Sequence, residues 1–413
     1  MGLGMTACGG GTIGFMWVLG TQFNQIAAFK IDDFSGNLTQ VPHSPFPSGG
    51  TDPVSLVVRT AGRYLYVINK GTALTPDGNG GVSCVNGAGG GLIAEYGIGG
   101  QAVLTYQQTF TSQGCTPVWA ASDSTGNFLY VLDKYAPNTA CLANGQPEFP
   151  GTSKGCFGEI TVFTSDPDTG RLALVVNQQI KDPNTGLQLT YFPVGTMPKM
   201  MAIAGSCVFS LNSDQTVFPY ATGTGGQLTL TTNSTINSGA IQATSIITGG
   251  TSIYITDAGV PNTNSPGQIL PFTVGTSCAL NTITGGPTQN LSPGANPVYT
   301  LVDSKGQYLY VANQSSTNSN TTNSSISAFK IQSNGTLQFI PDNAGLNPYP
   351  IGAGPVCMVE DPSHQYLYTS NGDGTVTGKV LFAPTGQLSN LPRGSSFTAV
   401  GQATCLAVSG NVD

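Results

Sequence analysis

Residues 66–69 read YVIN, 130–133 read YVLD, 254–257 read YITD and 310–313 read YVAN. Looser copies stand at 17–20 (WVLG), 209–212 (FSLN) and 368–371 (YTSN), so one short pattern recurs seven times along the chain. Each copy is an aromatic residue, two apolar residues or small polar stand-ins, and Asn, Asp or Gly. That composition reads as a short β-strand closed by a turn residue.

A second strand precedes most copies and begins at proline: PVSLVV from Pro53, PVWAAS from Pro117, PKMMAI from Pro198, PVYTLV from Pro297 and PVCMVE from Pro355. QATSII from Gln242 is a variant without the proline. Proline suits the first residue of a strand, where no ladder donor is required. Tight turns separate the two strands, as in RTAGR (59–63), DSTGN (123–127) and DSKGQ (303–307). An alternating third strand follows, for example IAAFKI (26–31) and ISAFKI (326–331), then a Gly-x-Leu turn at Gly36, Gly170, Gly335 and Gly386, then a fourth strand.

Seven units of four antiparallel strands predict an all-β, seven-bladed β-propeller, in which each unit buries its faces only by stacking on its neighbours. The termini agree with this. The first unit has no proline-started strand before Trp17, and the chain ends in a spare first strand, TCLAVS (404–409). The two fragments would complete one blade and close the ring. The expected organisation is a single propeller over residues 12–413, preceded by a Gly-rich tail over 1–11.

Composition narrows the function. The chain has 413 residues with 56 Gly, and only 8% are charged, against roughly 25% in an average soluble domain. Thirteen Lys plus Arg against 20 Asp plus Glu give a net charge of −7, so no basic patch for nucleic acid is expected. No apolar run reaches the roughly 18 residues of a membrane helix; TIGFMWVLG (12–20) is half that.

Nine cysteines in a polar, strand-rich chain point to an oxidising compartment. The repeat map makes four pairs geometrically conceivable: Cys141 with Cys156, Cys84 with Cys115, Cys207 with Cys278 and, least securely, Cys357 with Cys405; buried free thiols are the alternative for Cys207, Cys357 and Cys405. Cys8, in MTAC followed by three glycines, has the look of a bacterial lipoprotein lipidation site, or else belongs to an arm reaching a neighbouring molecule. Asn-x-Ser/Thr sites stand at Asn37, Asn233, Asn290, Asn313, Asn320, Asn323 and Asn334, and carry sugar only in a host that can attach it.

Departures from the repeat cluster after the second strand, at 70–91, 134–158 and 314–324, and should crowd one face of the disc. Loops of this kind carry binding more often than scaffolds do. Chemistry-bearing residues are scarce. His43 and His364 read as turn residues; Glu95 and Glu159 fall on third strands, Glu148 in an insertion, and Glu360 at the end of a first strand. DGNGG (77–81) and NGDG (371–374) lack the ligand spacing of a calcium loop. No metal, cofactor or catalytic set is assigned.

The YVIN, YVLD and YVAN segments, the Pro-Val starts and the Gly-x-Leu turns resemble those of the lactonase-like, YVTN-type seven-bladed propellers of bacteria, from about residue 12 to 409. That family includes 6-phosphogluconolactonase-like enzymes. The resemblance implies the fold; its motifs are core and turn residues, and the family's channel-mouth His, Arg and acidic groups map onto no residue here. The expected function is therefore a secreted or surface-exposed, non-catalytic propeller, a homo-oligomer or polymer assembling into a filament or layer. The alternatives are a lactonase-type hydrolase with a central-channel site and a module binding carbohydrate or cell-surface glycan. The expected location is extracellular or cell surface, with a periplasmic or outer-membrane lipoprotein as variants.

Overall fold

The computed structural model describes residues 11–410 apart from 72–73, 75–81, 85–89, 138–139, 142–146, 149–156, 183–184, 232–234, 261–266, 284, 286–290, 292–294, 316–323, 342–344 and 346. Among the described residues regular structure is β-strand throughout, except for single 3-10 turns at Gly100–Ala102, Thr224–Gly226 and Thr276–Cys278. All strand pairings are antiparallel. Four-strand meanders recur, such as Pro198–Ala204, Cys207–Asn212, Thr216–Thr222 and Leu228–Leu230, or Ala243–Gly249, Ser252–Asp257, Gln268–Val274 and Leu280–Thr282. Among the described residues no helix is long and apolar enough to cross a membrane.

The chain ends share a sheet. Ala403–Ser409 pairs with Thr12–Gly20, with Trp17 opposite Ala407 and Val18 opposite Leu406. The first strands pack on one another in sequence: Pro53–Val58 on Leu104–Ser122, that strand on Pro198–Ala204, and so on through Ala243–Gly249, Ala295–Val302 and Pro355–Glu360 to Ala403–Ser409, which lies against Pro53–Val58.

Two sequence motifs lock neighbouring units together. The motif tyrosine of one unit donates its hydroxyl to the carbonyl of the turn glycine in the next: Tyr66 to Gly170 (2.5 Å), Tyr254 to Gly335 (3.0 Å), Tyr310 to Gly386 (3.0 Å) and Tyr368 to Gly36 (2.6 Å). Those glycines have φ between 66° and 83°, a conformation glycine adopts without a Cβ penalty. Trp17 does the same with its indole N–H, which donates to Ala102 at 3.3 Å. Phe209 has no polar tip. There Cys207 reaches Cys278, which occupies the turn-glycine position with φ 57°, and the lock is a disulfide with S–S 2.08 Å. The rings themselves are fully buried, each stabilising the fold by about 2–3 kcal/mol, so the repeat is conserved within the chain by packing and a hydrogen bond together.

Three features differ from the sequence reading. The Asn or Asp that ends each motif is a strand residue, not a turn residue: Asn69, Asp133, Asn212, Asp257 and Asn371 are completely buried and Asn313 nearly so. Asn212, Asn313 and Asn371 donate to hydroxyls on the third strand of their own sheets, whereas Asn69 and Asp257 hold the incoming chain. Asn69 donates to Ser48 O, and Asp257 accepts from the N–H groups of Ile241 and Gln242. Second, Leu104–Ser122 is one 19-residue strand where a fourth strand and a separate first strand were expected. It joins the second and third units into an eight-stranded sheet. Third, most units carry a fifth short strand, such as Phe46–Pro47 or Tyr349–Pro350, on the third strand. The fourth strands span only three or four residues, leaving part of the third strand's edge open, and the outgoing connection fills it.

The insertions after the second and third motifs do meet. Val82–Ser83, Ala140–Cys141 and Pro147–Glu148 form a small three-stranded sheet.

Candidate functional site

Each first strand begins with the same irregularity. The ladder shifts register between Pro53 and Ser55, Pro198 and Met200, Ala243 and Ser245, Pro297 and Tyr299, and Pro355 and Cys357, with matching shifts at Pro117–Trp119 and near Ala403. Several are preceded by a left-handed residue: Asp52 (φ 54°), Thr116 (60°), Met197 (41°) and Gln402 (48°). For β-branched Thr116 that is a strained conformation. A bulge re-aims the side chain it carries, and the residues so placed are Val54, Val118, Lys199, Thr244, Val298, Val356 and Thr404. All are exposed or half-buried, although the residues before them at 53, 117, 198, 243, 297, 355 and 403 are buried.

These residues form one rim. Thr404 Oγ1 donates to Pro53 O at 3.0 Å and Lys199 Nζ to Ala243 O at 3.2 Å, each reaching the start of the adjacent first strand. Lys199 is the ionisable member of the set. Desolvation pushes its ammonium below the usual lysine range.

Directly after the rim residues Val118 and Val298 come two aromatic side chains. Trp119 and Tyr299 meet with ring centroids 6.1 Å apart and planes at 44°. Both pack against a cluster containing Leu56, Cys357 and Cys405 and another containing Met200 and Ala202. Burial pushes the Tyr299 phenol above the usual range. The arrangement is an aromatic floor under a hydroxyl-bearing, weakly basic rim.

Other candidate residues are placed as follows. Cys84 bonds Cys115 (S–S 2.05 Å), Cys207 bonds Cys278, and Cys357 bonds Cys405. Cys8 and Cys156 lie outside the described residues, as do Asn233, Asn290, Asn320, Asn323 and the stretch 77–81; Cys141 and Glu148 are described in backbone only. Asn313 is buried within the Tyr308–Ser315 strand, closed to modification, whereas Asn334 is exposed. His43 is exposed with φ 65°.

His364 is brought to Glu360 and Ser304. Its Nδ1 lies 2.7 Å from Ser304 Oγ and 3.4 Å from Glu360 Oε1, and Ser304 N–H donates to Glu360 Oε2 at 2.7 Å. Serine and carboxylate share one imidazole nitrogen, so the cluster clamps two turns together and does not form a relay with the base between acid and nucleophile. Among the described residues no group of three or more His, Cys, Asp or Glu is arranged to hold a metal.

Clefts on the same turn face appear where short glycine turns replace the Asp-anchored ones. One of about 770 Å³ lies beside Gly249 and Gly250, and one of about 390 Å³ beside Gly205.

Sequence reasoning missed one pair. Asp133 and Glu159 stand opposite each other in the ladder and are both completely buried. Reading Asp133 as a turn residue concealed it. The signal available was position: Glu159 occupies, relative to YVLD, the place Gln268 occupies relative to YITD.

No protein-family model matches the chain, and none of the curated proteins is similar to it in sequence. Solved structures are similar in fold. The periplasmic gluconolactonase PpgL of Pseudomonas aeruginosa is 14% identical with a TM-score of 0.66, over 97% of this chain and 100% of that one. A Lactobacillus plantarum protein (15%, TM-score 0.65) and a candidate 6-phosphogluconolactonase from Bacteroides uniformis (14%, TM-score 0.64) match over the same shares of both chains. The chain has the lactonase-like propeller fold. At this identity the likeness establishes the fold alone.

Proposed function

We propose that this chain is a closed seven-bladed lactonase-like propeller that works outside the cytoplasm and takes a sugar lactone at the mouth of its central axis. The observation that carries the ligand is the Trp119–Tyr299 floor beneath the Lys199, Thr244 and Thr404 rim. A lactone presents an apolar ring face, hydroxyls and a polarised ester carbonyl. An aromatic floor suits the first, threonine hydroxyls the second, and an ammonium suits the oxyanion that develops when the ester is attacked. In this reading Lys199 is the electrophilic partner and water the nucleophile. What supports the ring is the cyclic order in which the first strands pack, together with the pairing of Thr12–Gly20 with Ala403–Ser409. The disulfides support a periplasmic or extracellular location.

The expected filament or layer draws on the low charge and on the lack of an assignable catalytic set, and the comparisons favour the lactonase alternative over it. The test is a panel of aldonolactones and phosphorylated aldonolactones, followed for ring opening and for binding by calorimetry. Wild type should bind and open at least one, and Lys199→Met should lose turnover while keeping the fold. A panel with neither binding nor turnover would reject the reading.

A further inference from the structure

The Asp133–Glu159 pair has no role in the rim and floor. Asp133 Oδ1 accepts from Ser112 Oγ at 2.9 Å, and Glu159 Oε1 accepts from the Gly114 N–H and from Thr161 Oγ1, both at 2.8 Å. Thr161 Oγ1 in turn accepts from the Gln113 N–H at 2.8 Å. The two carboxyls thus fasten Ser112–Gly114 of the crossover strand, one residue before Cys115, whose disulfide to Cys84 anchors the insertion after the second motif.

The remaining oxygens, Asp133 Oδ2 and Glu159 Oε2, are buried and accept from no N–H or O–H donor. Each carboxyl is the other's side-chain partner. Two acceptors in contact are satisfied only when a proton lies between them. No cationic side chain bonds either group among the described residues; the neighbouring titratable groups are the Tyr191 and Tyr220 phenols, and the charge acting on Glu159 is that of Asp133.

The chain contains its own control. Asp257 and Gln268 occupy the same ladder positions in another sheet, and there Gln268 Nε2 donates to Asp257 Oδ2 at 2.8 Å. Burial raises the Asp257 carboxyl, but that bond and three backbone N–H groups outweigh burial and hold it below the usual range. Asp133 lacks such a donor. Burial pushes it up to about 7, and pushes Glu159 well above the carboxylate range.

We propose that Asp133 and Glu159 form a proton-sharing latch that holds the crossover strand and the disulfide-anchored insertion in place, and that loss of the shared proton as pH rises loosens them. The sign follows from linkage. The pair holds in the folded state a shared proton that it releases when unfolded, so the stabilisation is full below the ordinary carboxylate range and fades as pH rises through neutrality.

The test uses the full chain and Glu159→Gln, which copies the Asp257–Gln268 arrangement. In wild type, protection of the Gln113 and Gly114 amides should fall about tenfold between about pH 6 and 8 after correction for intrinsic exchange, and the urea midpoint should fall with it. In Glu159→Gln both should be flat over that range. If Glu159→Gln fails to fold, infrared spectroscopy of wild type decides: a protonated-carboxyl band present at pH 6 and lost by pH 9 supports the latch. A wild-type profile without slope, a variant with the wild-type slope, or no titrating band would overturn it.

Discussion

The hydroxyl of Tyr368 donates to the carbonyl of Gly36 at 2.6 Å, across 332 residues of chain. It joins the last motif tyrosine to the first turn glycine, and so ties the sheet holding both chain ends to its sequence-distant neighbour. Tyr368→Phe keeps the buried ring and removes only the donor, leaving Gly36 O without it. The expected loss is about 1–2 kcal/mol in urea denaturation, the cost of a buried acceptor left unpaired. Tyr310→Phe should behave alike through Gly386. A loss below a few tenths for both would mean that the hydroxyls are incidental to ring packing.

The Cys207–Cys278 lock makes a more particular prediction. Cys278 sits at φ 57°, so removing the crosslink has two separable effects. Cys207→Ala with Cys278→Ala should lose about 2–4 kcal/mol for the disulfide. Replacing Cys278 by Gly instead, in the same Cys207→Ala background, should recover about 1 kcal/mol because glycine accepts the left-handed backbone. Equal stability of the two double variants would show that the position is not strained.

Much of this architecture was legible because it repeats. The aromatic of YVIN and the glycine of Gly-x-Leu recur in the same order along the chain, and recurrence marks strands and turns even when no single copy is decisive. What each residue bonds was not legible. Tyr66 and Gly170 belong to different copies, and only the packing of one unit on the next brings them together. Asp133 was misread because Asp is a common turn former, and its burial depends on the incoming crossover strand. The continuity of Leu104–Ser122 and the added edge strands escaped for a related reason: proline and glycine punctuation marks where a strand can stop, while hydrogen-bond partners decide where it does. The Trp119–Tyr299 floor joins residues 180 positions apart on strands that are not adjacent in the packing order. No local pattern encodes such a contact.

Lys379 offers a pH prediction of opposite sign to the carboxyl latch. The residue is 3% exposed on the Thr375–Phe382 strand, its Nζ donating to Asn390 Oδ1 at 2.7 Å with no carboxylate among the described residues bonded to it. Desolvation pushes it down to about 8. The unfolded chain therefore holds this proton more tightly, and the buried ammonium costs stability fully below about pH 8, fading towards the ordinary lysine value. Lys379→Met should raise stability at pH 7 by about 1–2 kcal/mol, and the gain should shrink as pH approaches about 10. A variant less stable than wild type at pH 7 would show that the Asn390 bond outweighs desolvation.

The aromatic floor can be tested apart from any ligand. Trp119 is half-buried and packs between two core clusters, so Trp119→Ala should leave a void among the inner strands and cost about 3 kcal/mol, the low end for a truncated large aromatic. Tyr299→Phe keeps the ring contact and removes a phenol for which burial already disfavours the ionised form; its stability should match wild type within about 0.5 kcal/mol. The same two variants separate packing from recognition. If a sugar lactone rests on this floor, Trp119→Ala loses binding together with stability, whereas Tyr299→Phe loses affinity only when the hydroxyl itself touches the ligand. Undiminished lactone affinity in a folded Trp119→Ala protein would remove the floor from the site and leave it the simpler task of filling the space between the inner strands.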